Sequence, residues 1–224
     1  MRRLLTIFIA LFGLSSVSSA YYHWTFFTQR SAPFQELRLR FDTAALPDST
    51  VSFFIAKQGP AKMVDGDNFP ALVSQIRRAA EVWNVPTSAL KLKFGGLQEK
   101  SFTDVLSEQV TPGIDVVFND DLPPGVLAYS DPQTYKDLGY LGTANSPGFA
   151  PILRSRLQLA SDLTTRSQAS YSDAFFLTIV HEFGHTLGLQ HSMTGGAMAT
   201  SITRGNSSTW LAPAPPWRFA SASS

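Results

Sequence analysis

Eleven consecutive residues constrain this chain more than any other feature: His181-Glu182-Phe183-Gly184-His185-Thr186-Leu187-Gly188-Leu189-Gln190-His191. Phe176, Ile179, Val180, Phe183 and Leu187 recur at helical spacing behind Ser172, a good N-cap, which predicts a helix from about Ser172 through Leu187. On that helix His181 and His185 lie four residues apart, so their imidazoles sit one above the other on the same face. His191 comes six residues after His185, and on a continued helix it would point about 240° away, at roughly 100° per residue. The helix must therefore stop and the chain must turn back. Gly188 stands where a helix-ending residue is needed, because glycine adopts the left-handed conformation that closes a last turn.

Two neutral imidazoles at this spacing can grip one Zn²⁺, and His191 makes a third ligand. Three ligands leave the fourth tetrahedral position open, the arrangement of a catalytic rather than a structural zinc. Glu182 follows the first ligand on the same turn, within reach of a water held at the metal. Zinc lowers the pKa of such a water towards about 7, and a carboxylate there can take its proton as general base and pass it to a leaving amine. The competing reading, two core histidines and an exposed third, would need partners for three ligand-type side chains that the pattern does not supply.

Composition sharpens this. The 224 residues contain four histidines and no cysteine, so disulfide scaffolds, cysteine zinc sites, iron–sulfur clusters and thiol nucleophiles are excluded together. With 44% hydrophobic residues and 18 Lys+Arg against 17 Asp+Glu, the chain is neither disordered in type nor basic enough to mark a nucleic-acid surface. Arg2 and Arg3, the mostly apolar run Leu4 to Leu14, and the small residues up to Ala20 have the layout of a secretory signal peptide cut before Tyr21. The apolar run is too short to span a bilayer, where about 20 residues are needed. The expected organisation is a signal peptide at 1–20, one domain at 21–204 and an irregular Ser/Pro/Ala-rich tail at 205–224. The mature chain is then expected outside the cell or in a periplasm and without membrane attachment; the sequence does not give its oligomeric state, and a monomer is assumed.

Elsewhere, Leu37, Leu39 and Phe41 alternate with Glu36, Arg38 and Arg40, the period of a half-buried strand. Val51 to Ala56, Leu90 to Phe94, Ile114 to Phe118, Val126 to Tyr129 and the pair Leu157/Leu159 read as further strands. Leu72, Ile76, Ala79 and Trp83 predict a helix over roughly Phe69 to Trp83, limited by Pro86. Residues from Asn119 to Ser161 are rich in Gly, Pro, Asp and Ser and read largely as loop. Strands, a helix, more strands and a late helix favour an α+β domain.

His181 to His191 resemble the extended zinc signature of the metzincin metallopeptidases, and the surroundings resemble the matrixin branch. His191-Ser192 followed by Met198 is similar to the matrixin His-Ser and its Met-turn, and Gly125 to Tyr129 resembles the substrate-aligning edge strand. The resemblance implies a twisted mixed sheet with two long helices, one catalytic zinc on His181, His185 and His191, Glu182 as general base, and Gly188 and Met198 as structural support. It also implies a protein or peptide substrate added to the sheet edge as an extended strand. There are departures from the family pattern. No histidine lies between His23 and His181, and Tyr129 stands where a histidine for a second zinc is expected, so one zinc is implied. Without cysteine there is no cysteine-switch latency. Calcium is a secondary candidate at Asp120, Asp121, Asp131, Asp137 and Asp162, whose spacing matches no defined calcium loop. Pro213, Pro215 and Pro216 break the stretch where the family's last helix is expected. That missing helix motivates the alternative function, a non-catalytic zinc-stabilised binding module.

Overall fold

The computed structural model describes residues 23–27, 36–105, 109–123, 125–134, 148–165 and 169–191. Its centre is a five-stranded sheet of β3 (Thr50–Ala56), β4 (Lys91–Gln98), β5 (Gly113–Asn119), β6 (Ala128–Gln133) and β8 (Arg154–Ala160). The spatial order is β4-β3-β5-β8-β6. All neighbours are parallel except β6, which runs antiparallel to β8 at one edge. Two helices, α1 (Phe69–Glu81) and α2 (Asp173–Thr186), contact each other, and α2 also contacts β6 and β8. This is the expected α+β architecture, with a mixed sheet and the histidine-bearing helix late in the chain.

Alternation decides which side of the sheet the helices cover. Val51, Phe53 and Ile55 of β3, Ile114 and Val116 of β5, and Leu157 and Leu159 of β8 are buried in one core with Leu72, Ile76 and Ala79 of α1 and Phe175, Ile179 and Phe183 of α2. Each of the Val, Leu, Ile and Phe side chains contributes roughly 1.5–3 kcal/mol relative to exposure. Phe183 meets Phe53 edge to face at 5.4 Å between ring centroids, which fixes α2 over β3. Trp83 adds a directional contact, its indole N–H donating to the Val180 carbonyl at 3.0 Å.

The opposite face carries a buried ion pair. Arg154 donates through Nε and Nη2 to the two carboxylate oxygens of Asp115, at 2.8 and 2.5 Å, and through Nη1 to the Thr111 carbonyl. Gln98 adds a hydrogen bond to Asp115 at 2.7 Å, so both carboxylate oxygens are engaged and the buried charges are paired.

Two short strands form a second sheet with β2 (Glu36–Arg40). β1 (Thr25–Phe27) pairs antiparallel with β2, and β7 (Ala150–Pro151) pairs parallel on its other side. Neither β1 nor β7 was expected, because two or three residues carry no readable period. Three boundaries also differ from expectation. Helix α1 ends at Glu81 rather than Trp83. Strand β4 continues past Phe94 to Gln98 across a register shift opposite Phe53/Phe54, where Gly96 takes a φ of +119°. The strand placed at Val126 to Tyr129 instead runs from Ala128 to Gln133, so the tract from 119 to 161 is less loop-like than expected. Pro132 does not end β6, because an edge strand leaves one side of its backbone without a ladder partner.

Candidate metal centre

Helix α2 begins as its sequence demands. Ser172 is extended, its hydroxyl accepts the Phe175 N–H, and Asp173 lies in the first turn. It ends in a Schellman motif. The Leu189 N–H donates to the Gly184 carbonyl at 3.1 Å and the Gly188 N–H to the His185 carbonyl at 2.9 Å. Gly188 holds φ at +89°. The turn inferred from spacing alone is thus present, and it brings His191 back to the two helical histidines.

The three imidazoles converge, with ring centroids 4.7, 5.2 and 4.9 Å apart for the pairs 181–185, 181–191 and 185–191. One ligand atom from each lies within 4.8 Å of the others, and together they could hold a metal ion. His185 Nδ1 lies 2.8 Å from the Leu189 carbonyl. A carbonyl only accepts, so Nδ1 carries the proton and Nε2 is left as a lone pair. That Nε2 is 3.3 Å from His191 Nε2. Zn–N bonds of about 2.0–2.1 Å at tetrahedral angles would separate two ligand nitrogens by about 3.3 Å, so this pair is spaced for one shared zinc.

Burial sets the charge states. His181, Glu182 and His185 are 8%, 8% and 9% exposed, whereas His191 is exposed. Burial lowers the His185 pKa to about 4, with positive charge on His181 or His191 adding to the effect, so its neutral, metal-binding form persists well into the acid range. Burial raises the pKa of Glu182 to about 7. Its Oε2 is buried with no hydrogen-bond partner, a cost that a protein interior rarely carries without a function.

Two residues that spacing did not reveal hold α2 to the sheet. Ser130 of β6 donates its hydroxyl to the Glu182 carbonyl at 2.9 Å, and Ser155 of β8 donates to the Thr186 carbonyl at 2.7 Å. Both are inward positions of an alternating strand where an apolar residue is the norm. The sequence carried no signal for either, because the fold alone makes these serines buried. Tyr129 lies on β6 and is about half exposed.

The sequence matches the profile of the matrixin family over residues 62–212. The chain belongs to the matrixin family. It therefore carries a zinc metallopeptidase domain, and the histidine cluster lies inside the matched range. No curated protein sequence matches the chain. Of the other positions read from sequence, Asp162 in this matrixin is engaged by Lys62 at 2.8 Å and by Thr164, which together lower its pKa to about 2. Asp131 accepts a hydrogen bond from Gln133. Met198, Asp137, residues 1–20 and the tail at 205–224 lie outside the described residues.

Proposed function

We propose that this chain is a zinc-dependent metalloendopeptidase in which His181, His185 and His191 hold the metal and Glu182 is the general base. The observation that carries the reading is the convergence of three histidine ligand atoms, with a buried glutamate directly after the first of them whose Oε2 has no partner. When bound, zinc supplies Lewis-acid polarisation and acidifies water. The Glu182 carboxylate accepts a proton from the attacking water and returns it to the nitrogen of the departing amine. The buried surroundings of Glu182 also exclude competing water.

Among the described residues, strand β6 pairs with β8 on one side only, and its other edge offers backbone donors and acceptors to an extended peptide. Ser130 ties that strand to the carbonyl of Glu182, which sets the register between the peptide's path and the base. The signal-like N-terminus supports action outside the cell or in a periplasm by a domain covering 21–204. Among the described residues no helix is long and apolar enough to cross a membrane.

The test uses purified full chain loaded with zinc and offered casein or gelatin. One zinc per chain is expected, with cleavage abolished by a chelator and by Glu182→Ala. Equal cleavage by wild type and Glu182→Ala would sink the assignment. Stoichiometric zinc without turnover would instead favour the non-catalytic module.

A further inference from the structure

The carbonyl that orients His185 sits in a segment gripped from outside the metal helix. The Trp24 N–H donates to the Gly188 carbonyl at 2.9 Å, and His23 forms an antiparallel bridge with Leu189. Residues 188 and 189 thus extend the ladder that begins in β1. Behind them lies β2, whose Leu39 N–H donates to the Trp24 carbonyl at 2.7 Å. The approach is close: a Cβ placed on Gly188 would stand 2.1 Å from the Leu39 carbonyl oxygen. The Trp24 indole also meets the His185 ring edge to face, 6.5 Å between centroids at 67°. The N-terminal segment therefore acts on one imidazole in two ways: its ladder backs the turn whose Leu189 carbonyl meets Nδ1, and its indole packs against the ring. The indole Nε1 is itself buried without an acceptor, so the side chain's contribution lies in its ring contacts rather than a hydrogen bond.

We propose that β1 and β2, through Trp24, form a clamp that positions His185 and the turn leading to His191, so that zinc affinity depends on a segment preceding residue 62, where the family match begins. This rests on the reading of the three histidines as zinc ligands. Trp24 is a positioning residue: it touches a ligand's ring and the backbone of its turn. A carbonyl hydrogen-bonded to a metal-binding histidine typically governs affinity by 10–100-fold, and the Leu189 carbonyl is the one this segment backs.

The experiment compares full-length wild type, Trp24→Ala, Trp24→Leu, Trp24→Phe and the exposed neighbour control Thr25→Ala. Zinc affinity is measured by competition with a chromophoric chelator, beside thermal unfolding of the metal-free forms. The clamp predicts a 10–100-fold loss of zinc affinity in Trp24→Ala and Trp24→Leu, recovery in Trp24→Phe, whose ring restores the edge contact, and no change in Thr25→Ala. If Trp24→Ala does not fold, Trp24→Leu, which keeps apolar bulk without a ring, decides. Wild-type affinity in a Trp24→Leu variant that melts lower would reduce Trp24 to ordinary packing and overturn the clamp alone. Absence of zinc binding by wild type would overturn the metal reading beneath it.

Discussion

Replacing Gly188 by alanine tests the geometry on which the centre depends. At φ +89° an L-residue lies in the left-handed region, at a cost of roughly 1–2 kcal/mol. The added Cβ would also sit 2.1 Å from the Leu39 carbonyl oxygen, a contact only backbone movement can relieve. Overpacking of that kind typically costs about 1–3 kcal/mol. Together the two give a destabilisation of roughly 2–5 kcal/mol. At about 2–4 °C per kcal/mol for a chain of this size, the melting temperature should fall by about 4–20 °C. The movement cannot stay local, because Leu189 O holds His185 Nδ1 and the same turn carries His191. Calorimetry with and without zinc is the assay, and the zinc-induced rise in melting temperature should shrink along with the baseline. A Gly188→Ala protein with wild-type melting temperature and an undiminished zinc-induced rise would refute the argument that this turn builds the site.

Three further expectations follow from the same contacts. In the metal-free protein, Glu182 is raised to about 7 from 4.5, so its contribution to stability is full below pH 4.5 and lost as pH climbs through 7. His185 is lowered to about 4 from 6.5, so its contribution is full above pH 6.5 and lost as pH falls through 4. The two slopes oppose each other; Glu182→Gln removes one, and denaturant unfolding should then show stability falling by roughly 3 kcal/mol between pH 6.5 and 4. Ser130→Ala removes a buried hydrogen bond to the Glu182 carbonyl and should cost about 1 kcal/mol, seen as a fall of about 2–4 °C by calorimetry, with kcat reduced more than KM is changed. Asp115→Ala leaves Arg154 buried and unpaired and should cost about 3–5 kcal/mol by denaturant titration, while zinc affinity measured on the folded variant stays near wild type.

What could be read from sequence was what local periodicity encodes. Ser172 as cap, the apolar face of α2, the four-residue step between His181 and His185 and the glycine stop at 188 all lie within one short stretch, so neighbouring residues alone specify them. The alternation at Leu37 and Leu39 and the spacing of Leu72, Ile76 and Ala79 were legible for the same reason. β1 and β7 were not, since two or three residues exist as strands only because β2 pairs with both. The contacts of Ser130, Ser155 and Trp24 with α2 escaped detection for a related reason: each joins residues far apart in the chain, and a hydroxyl or an indole carries no mark of its partner.

The sequence by itself determined that three histidines converge, because helix pitch and a left-handed glycine leave His191 one direction in which to return. Only the tertiary structure decided what holds that site at its working geometry. Burial shifts Glu182 and His185 in opposite directions, a serine on the edge strand anchors the Glu182 backbone carbonyl, and an N-terminal ladder backs the turn. Those effects depend on how closely distant segments pack, and chain order does not state that distance.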